Sequence, residues 1–183
     1  LAGGTGTNTL IGTSPTTGGT NTILSIGTDT VLASGGDNNV SVSGSAIVFA
    51  YGTATSVTGA GSSLIFGDTG DLVAHGLSGS NTVVAGTGNS TIASSGAGNI
   101  IFGSTSSTAG SLLASIGGAN GIVGGSAAAG SIAASGANAL IFGKGGQTAI
   151  SLTGSNATVV GGSGATTIDA SGSTNALVGS GSG

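Results

Sequence analysis

Side chains able to do chemistry are scarce in this sequence. The acids are Asp29, Asp37, Asp68, Asp71 and Asp169; His75 is the one histidine, Lys144 the one strong base, and there is no cysteine. Asp71 and His75 are the only nearby carboxylate–imidazole pair that could act as orienter and general base, but no nucleophile elbow accompanies them. One histidine without cysteine cannot build a His/Cys metal centre or a Cys–His nucleophile pair. Lys144 lies in Gly-Lys-Gly-Gly, which lacks the spacing of a phosphate-binding loop and reads as a turn lysine. Polysaccharide processing would need clustered carboxylates, and these acids are scattered. Asp68 and Asp71 could offer oxygens to a single calcium ion, although two acids in a solvated turn is the ordinary account. Tyr51, the only tyrosine, closes an imperfect turn. The chain is therefore expected not to be an enzyme, with no catalytic, cofactor-binding or metal-ligating residue and no cofactor, a single calcium ion remaining the one exception the acids leave open.

Composition narrows the class. The chain has 183 residues, of which 41 are glycine, 3% charged, 3% aromatic and 37% hydrophobic. Collagen would need glycine at every third position and abundant proline, whereas Pro15 is the only proline here. A flexible Gly/Ser linker would lack the Val, Ile, Leu and Phe clusters that keep returning. A net charge of -4 with one lysine excludes a phosphate-binding surface and offers nothing to anionic lipid. No apolar stretch approaches the length of a membrane helix, so neither nucleic-acid binding nor membrane insertion is expected. The absence of cysteine is compatible with export. Opening at Leu1 inside the pattern and without an initiator methionine, the chain reads as a segment of a longer or processed protein.

What must position these residues is a repeat. One half-unit reads Asn or Ser, then two to four mostly apolar residues, then glycine, closing at Gly67, Gly86, Gly103, Gly124, Gly143, Gly161 and Gly179. A weaker half-unit is centred on Ile92, Leu112, Ile132, Ile150 and Ile168. Two short strands per turn of about 19 residues, separated by Gly/Ser/Asn turns, predict an all-β parallel β-solenoid of roughly ten turns. At about 4.8 Å per turn the rod would be roughly 45–50 Å long. Residues 1–183 form one repeat domain, less regular over 1–60. Asn81, Asn99, Asn120, Asn138, Asn156 and Asn175 recur at the same period and predict a stacked asparagine ladder, or else a row of residues suited to turn geometry.

One wall is more apolar than a core requires. Two residues before each closing glycine stand Ile65, Val84, Ile101, Ile122, Ile141, Val159 and Leu177, a column expected to face inward. Their strand neighbours should face out, yet Phe66, Phe102, Val123, Phe142, Val160 and Val178 on one side, and Leu64, Val83, Ile100 and Leu140 on the other, are apolar too. A strand apolar on both faces is normally covered on both. These ten residues form the expected assembly face, which would pack on a second copy or on neighbouring repeats of the same protein. Contact with a solid surface or polysaccharide is the other option.

The fragments GGTGTNTLIG (Gly3 to Gly12), AGTGNSTIA (Ala85 to Ala93) and GGSGATTIDA (Gly161 to Ala170) resemble the glycine-rich nonapeptide of secreted hemolysin-type calcium-binding repeats. The resemblance implies a parallel β-roll, calcium in the turns, and export from a bacterium. Where that family places its aspartate, this chain has Asn8, Ser90 and Thr166, so a regular calcium array is not expected. The chain is more similar to calcium-free Gly/Asn/Ser/Thr-rich strand repeats of large secreted bacterial surface and matrix proteins. These readings together predict an extracellular, cell-surface structural element of a filament, surface layer, biofilm matrix or adhesin stalk. The alternatives are a calcium-binding β-roll module or an ice-binding face, the latter suggested by the pairs Thr5/Thr7, Thr7/Thr9, Thr20/Thr22, Thr28/Thr30 and Thr53/Thr55.

Overall fold

A computed structural model describes residues 1–14 and 19–179, and they form a parallel β-solenoid. Pro15 and the closing residues 180–183 lie outside the described residues. Each turn contributes a strand to two walls, and each strand pairs in parallel with its equivalent one turn away. The first wall includes Thr9–Ser14, Ser63–Gly67, Thr82–Val84, Ile100–Phe102, Ile122–Gly124, Leu140–Phe142, Thr158–Val160 and Ala176–Val178. The second includes Thr20–Ser25, Asp71–Leu77, Ser90–Ser94, Leu112–Ile116, Gly130–Ala134, Thr148–Leu152 and Thr166–Ala170. Thr28–Val42 and Ser45–Gly59 each run through both walls around one corner. Strands of three to five residues are too short to persist alone, so the ladder between turns is what holds them.

The turn length is not uniform. Thr30 pairs with Ile47 and Ile47 with Leu64, 17 residues each time. Leu140 pairs with Thr158 and Thr158 with Ala176, 18 residues each time. Between these regimes Ile100 pairs with Ile122, 22 residues on. The spacing near 19 seen in the sequence averages these turns. The extra residues lie between the strands Ile100–Phe102 and Leu112–Ile116, where Ser106 donates its N–H to Ser104 Oγ at 3.1 Å. Ser126, one turn on, donates its hydroxyl to Gly110 O at 2.7 Å and ties the insertion down.

Inside, each wall contributes a column of buried side chains. The first wall supplies Leu10, Val31, Val48, Ile65, Val83, Ile101, Val123, Ile141 and Val159; the second supplies Ile23, Val40, Val57, Ala74, Ile92, Ala114, Ile132 and Ile150. Each buried Val, Leu or Ile contributes roughly 1.5–3 kcal/mol. Large and small residues alternate along the second wall, so that Ala114 is followed inward by Ile116 and Ile132 by Ala134. Two residues of the expected inward column are corrected: Val84 and Ile122 point outward, while Val83 and Val123 take their places. Gly86 stands one residue after the position equivalent to Gly103, and Gly124 one residue before it. Counting back from those glycines slips by one, and a slip of one exchanges the two faces. Leu177 stays in the inward column opposite Val159, but in the last described turn it is 49% exposed.

The corner leading from the second wall back to the first holds an unbroken file: Gly27, Gly44, Gly61, Gly79, Gly96, Gly118, Gly136, Gly154 and Gly172. A Cβ built on any of them would lie well inside 3.0 Å of the carbonyl oxygen of a glycine one turn before. The file starts against Gly6 and afterwards each glycine abuts the preceding one, so Gly136 meets Gly118 O and Gly154 meets Gly136 O. Backbone stacks on backbone with no room for a side chain, and none of these nine needs a left-handed φ. Substituting Gly136→Val should therefore destabilise the fold by about 1–3 kcal/mol or more through overpacking against rigid backbone. Gly145→Ala, whose Cβ would meet nothing closer than 3.8 Å, should change stability little. Chemical denaturation followed by circular dichroism compares the two.

Candidate functional site

Two columns point outward from the first wall. One runs Thr9, Thr30, Ile47, Leu64, Thr82, Ile100, Ile122, Leu140, Thr158, Ala176. The other runs Ile11, Leu32, Phe49, Phe66, Val84, Phe102, Gly124, Phe142, Val160, Val178. Of the expected assembly face, Leu64, Phe66, Ile100, Phe102, Leu140, Phe142, Val160 and Val178 stand in these columns. Val83 and Val123 do not: they are 1% and 0% exposed and belong to the core. Phe102 and Phe142, by contrast, are 48% and 42% exposed. All four phenylalanines of the chain stand in one column.

Sequence reasoning missed the first turns of this face, Ile11, Leu32, Ile47 and Phe49, and the neighbouring Tyr51. Phe49 stacks on Phe66 with ring centroids 5.4 Å apart, and on Tyr51 at 5.9 Å. The alternation Ile47, Phe49, Tyr51 within Ser45–Gly59 was the available signal. The column has one gap, at Gly124, flanked by Phe102 and Phe142. The resulting open notch holds about 550 Å³ and is lined also by Val84, Gly125 and Lys144.

The second wall is different in kind. Its outward positions include Thr22, Asn39, Ser56, Thr91, Ser131 and Thr167, with Leu24, Val73 and Leu113 as scattered large apolar exceptions. His75 projects from this wall beside Thr58, next to a bulge at Gly76. Asp71 is four residues earlier on the same strand, which at about 3.3 Å per residue leaves roughly 13 Å of backbone between them. The pair is not brought together. Asp71 Oδ1 instead accepts the Asn89 N–H at 2.9 Å, and the Asp68 carbonyl accepts from Thr87 at 2.7 Å. Among the described residues no three His, Cys, Asp or Glu side chains cluster. The threonine pairs fall in different places: Thr9 and Thr30 give way to Ile47 on the first wall, Thr22 lies on the second, and Thr55 is buried at a corner. They do not form one outward rank.

The six asparagines also divide. Asn81 and Asn99 are buried at the entrance to the first wall and stack. Ser63 N donates to Asn81 Oδ1 at 2.9 Å, and Asn81 N to Asn99 Oδ1 at 2.8 Å. Asn175 serves the same column by accepting the Ala157 N–H at 2.8 Å. Asn120, Asn138 and Asn156 occupy the preceding position in their turns, exposed and with φ of 58°, 58° and 56°. Asparagine tolerates that left-handed backbone better than most residues. Asn138 Nδ2 also donates to Asn120 Oδ1 at 3.1 Å. One expected ladder is thus two columns, because the 22-residue turn lets Asn99 and Asn120 fall one position apart. A further ladder at the other corner was missed: Asn21 Nδ2 donates to Asn38 Oδ1 at 2.7 Å.

Asp29 extends the buried column toward the amino terminus. Its carboxylate accepts from Asn8 Nδ2 at 2.8 Å, from Asn8 N at 3.0 Å and from Ser25 Oγ at 2.7 Å. The Asn8 side chain, then Ser25, hold its pKa below the ordinary 3.8, against the opposing effect of desolvation. Asn8, where the calcium-binding repeat would carry aspartate, is here a donor to this buried acid.

No family model matches the chain, and the comparisons with curated proteins and with solved structures yield no similar protein. The resemblance to hemolysin-type repeats therefore stands on the parallel solenoid alone.

Two outcomes follow from the ladders. Asn99→Ala strands the buried Asn81 N–H and should cost about 1–3 kcal/mol, whereas Asn138→Gly keeps the left-handed backbone and should be close to neutral; urea denaturation measures both. A lowered folded pKa means that the stability supplied by Asp29 is present above about pH 3.8 and is lost as pH falls through the lower folded value. Thermal melting between pH 6 and pH 2 should show that acid loss in the native chain, and a smaller one in Asp29→Asn.

Proposed function

We propose that the chain is a non-catalytic structural rod of an extracellular or cell-surface assembly, such as a filament, surface layer, matrix or adhesin stalk. It works by packing its first wall on other copies. The observation that carries this reading is the difference between the walls: one presents Phe, Ile, Leu and Val along most turns, the other mostly Thr, Ser, Asn and Ala. A continuous exposed apolar strip is a liability in a monomer and an asset in an assembly. No acidic or basic side chain stands in the two outward columns of the first wall, so the packing needs neither salt bridges nor a bridging cation. The rod itself is stiffened by ladders running through its length, in which every turn is braced by the next. Export places such a surface where it meets other copies at high local concentration.

Electron microscopy of the native material before and after exhaustive chelation tests this, with a parallel sample in high salt. Filaments or sheets that persist in both are expected. Assemblies that dissolve on chelation would assign the sparse carboxylates to calcium after all, and dispersed folded monomers throughout would remove the lateral-packing role.

A further inference from the structure

The outward columns of the first wall carry a size pattern that selects a partner. Numbering the turns from Ile11 as the first to Val178 as the tenth, Phe49, Phe66, Phe102 and Phe142 occupy the third, fourth, sixth and eighth. Gly124, the only position in the column with no side chain, is the seventh. We infer that the face docks on a second copy of this chain with the two rods antiparallel, related by a two-fold axis along the strands, with Phe102 of each copy seated in the Gly124 notch of the other. This rests on the lateral-assembly reading above and adds the partner, its direction and its register.

A two-fold axis along the strands reverses the order of turns but leaves each outward column facing its own copy. With Phe102 over Gly124, the third turn opposes the tenth and the fourth the ninth. Phe49 then meets Val178, Phe66 meets Val160 and Phe142 meets Val84, so every phenylalanine faces a smaller residue. In the neighbouring column, which was not used to choose the register, Ile47 meets Ala176, Leu64 meets Thr158 and Leu140 meets Thr82, while Ile100 meets Ile122 beside the Phe102–Gly124 contact, two large side chains where that rung is otherwise emptiest. Shifting by one turn in one direction sets Phe66 against Phe142 and Phe102 against itself. Shifting in the other sets Phe102 against Phe142 and leaves Gly124 against Gly124, crowding one rung and emptying the next. Close-packed interfaces tolerate neither. Eight overlapping turns, about 38 Å by roughly 10 Å of three-residue strand, cover about 800 Å² over both partners, the size of a weak, reversible interface.

The test is a swap read by sedimentation equilibrium, with far-UV melting to confirm that each variant is folded. Gly124 faces outward, and a Cβ there would meet Ile101 O at 3.8 Å and the Phe102 ring at 3.3 Å, so Gly124→Phe fits the fold once that exposed ring yields by a few tenths of an ångström. Gly124→Phe alone and Phe102→Gly alone should each weaken self-association about tenfold or more, a factor equivalent to about 1.4 kcal/mol. The double variant restores large against small and should return to within about threefold of the native value. Native chain that stays monomeric at every concentration would overturn the lateral-assembly reading and this inference with it. Native chain that associates, with single variants that do not weaken it or a double variant that does not recover, would overturn the register alone.

Discussion

Everything in this rod depends on backbone meeting backbone at one corner. Along the file from Gly27 to Gly172, each glycine lies against the carbonyl of a glycine one turn before, too close for any Cβ. That contact keeps the turns at strand spacing, near 4.8 Å. The parallel ladders of both walls, the buried aliphatic columns and the corner amides all require that spacing. A side chain in the file would wedge two turns apart, and the loss would be felt by every pair those turns share.

Because the glycine corner gives the stack its closeness, polar residues are free to give it direction. A buried asparagine at a strand entrance accepts a backbone N–H from the turn before and so satisfies a group the ladder leaves over. Asp29 does the same with a charge, its carboxylate stabilised by donors from Asn8 and Ser25. The 17-residue turns, the 18-residue turns and the single 22-residue turn all preserve these alignments, since length is added at corners or at the one bulge beside Gly76. Walls built this way are chemically independent of each other. One can be made polar and the other apolar without disturbing the core they share.

That independence lets the first wall keep an apolar outer face while the second stays mostly polar. An uncharged strip with aromatic rings at fixed 4.8 Å multiples is a ruler, and one absent side chain at Gly124 marks a position on it. In the proposed assembly, recognition would come from shape, as it does in dry interfaces between stacked sheets. The acids and His75 stand at corners and on the polar wall, while Lys144 lies at the edge of the notch beside Gly124.

Much of this was legible in the residues themselves. Clusters such as NIIFG and NALIFG, returning at a near-constant interval between glycines, imply two strands per turn and a parallel stack, because strands of three residues have no other way to be stable. The scarcity of His, Cys and clustered acids set the expectation of a structural role. Face assignments were less secure. Val83 and Val123 read as outward because glycine served as the ruler, and Gly86 and Gly124 are displaced by one from the true register. The early turns looked irregular because Thr9 and Thr30 fill a position that Ile and Leu fill in later turns, although Ile11, Leu32 and Phe49 continue the phenylalanine column. Composition and period by themselves determined the kind of fold and the existence of an apolar wall. Which side chain belongs to which face, and which asparagines are buried, only the tertiary structure decided, since pairing between turns, not distance along the chain, sets the phase of a period-two pattern.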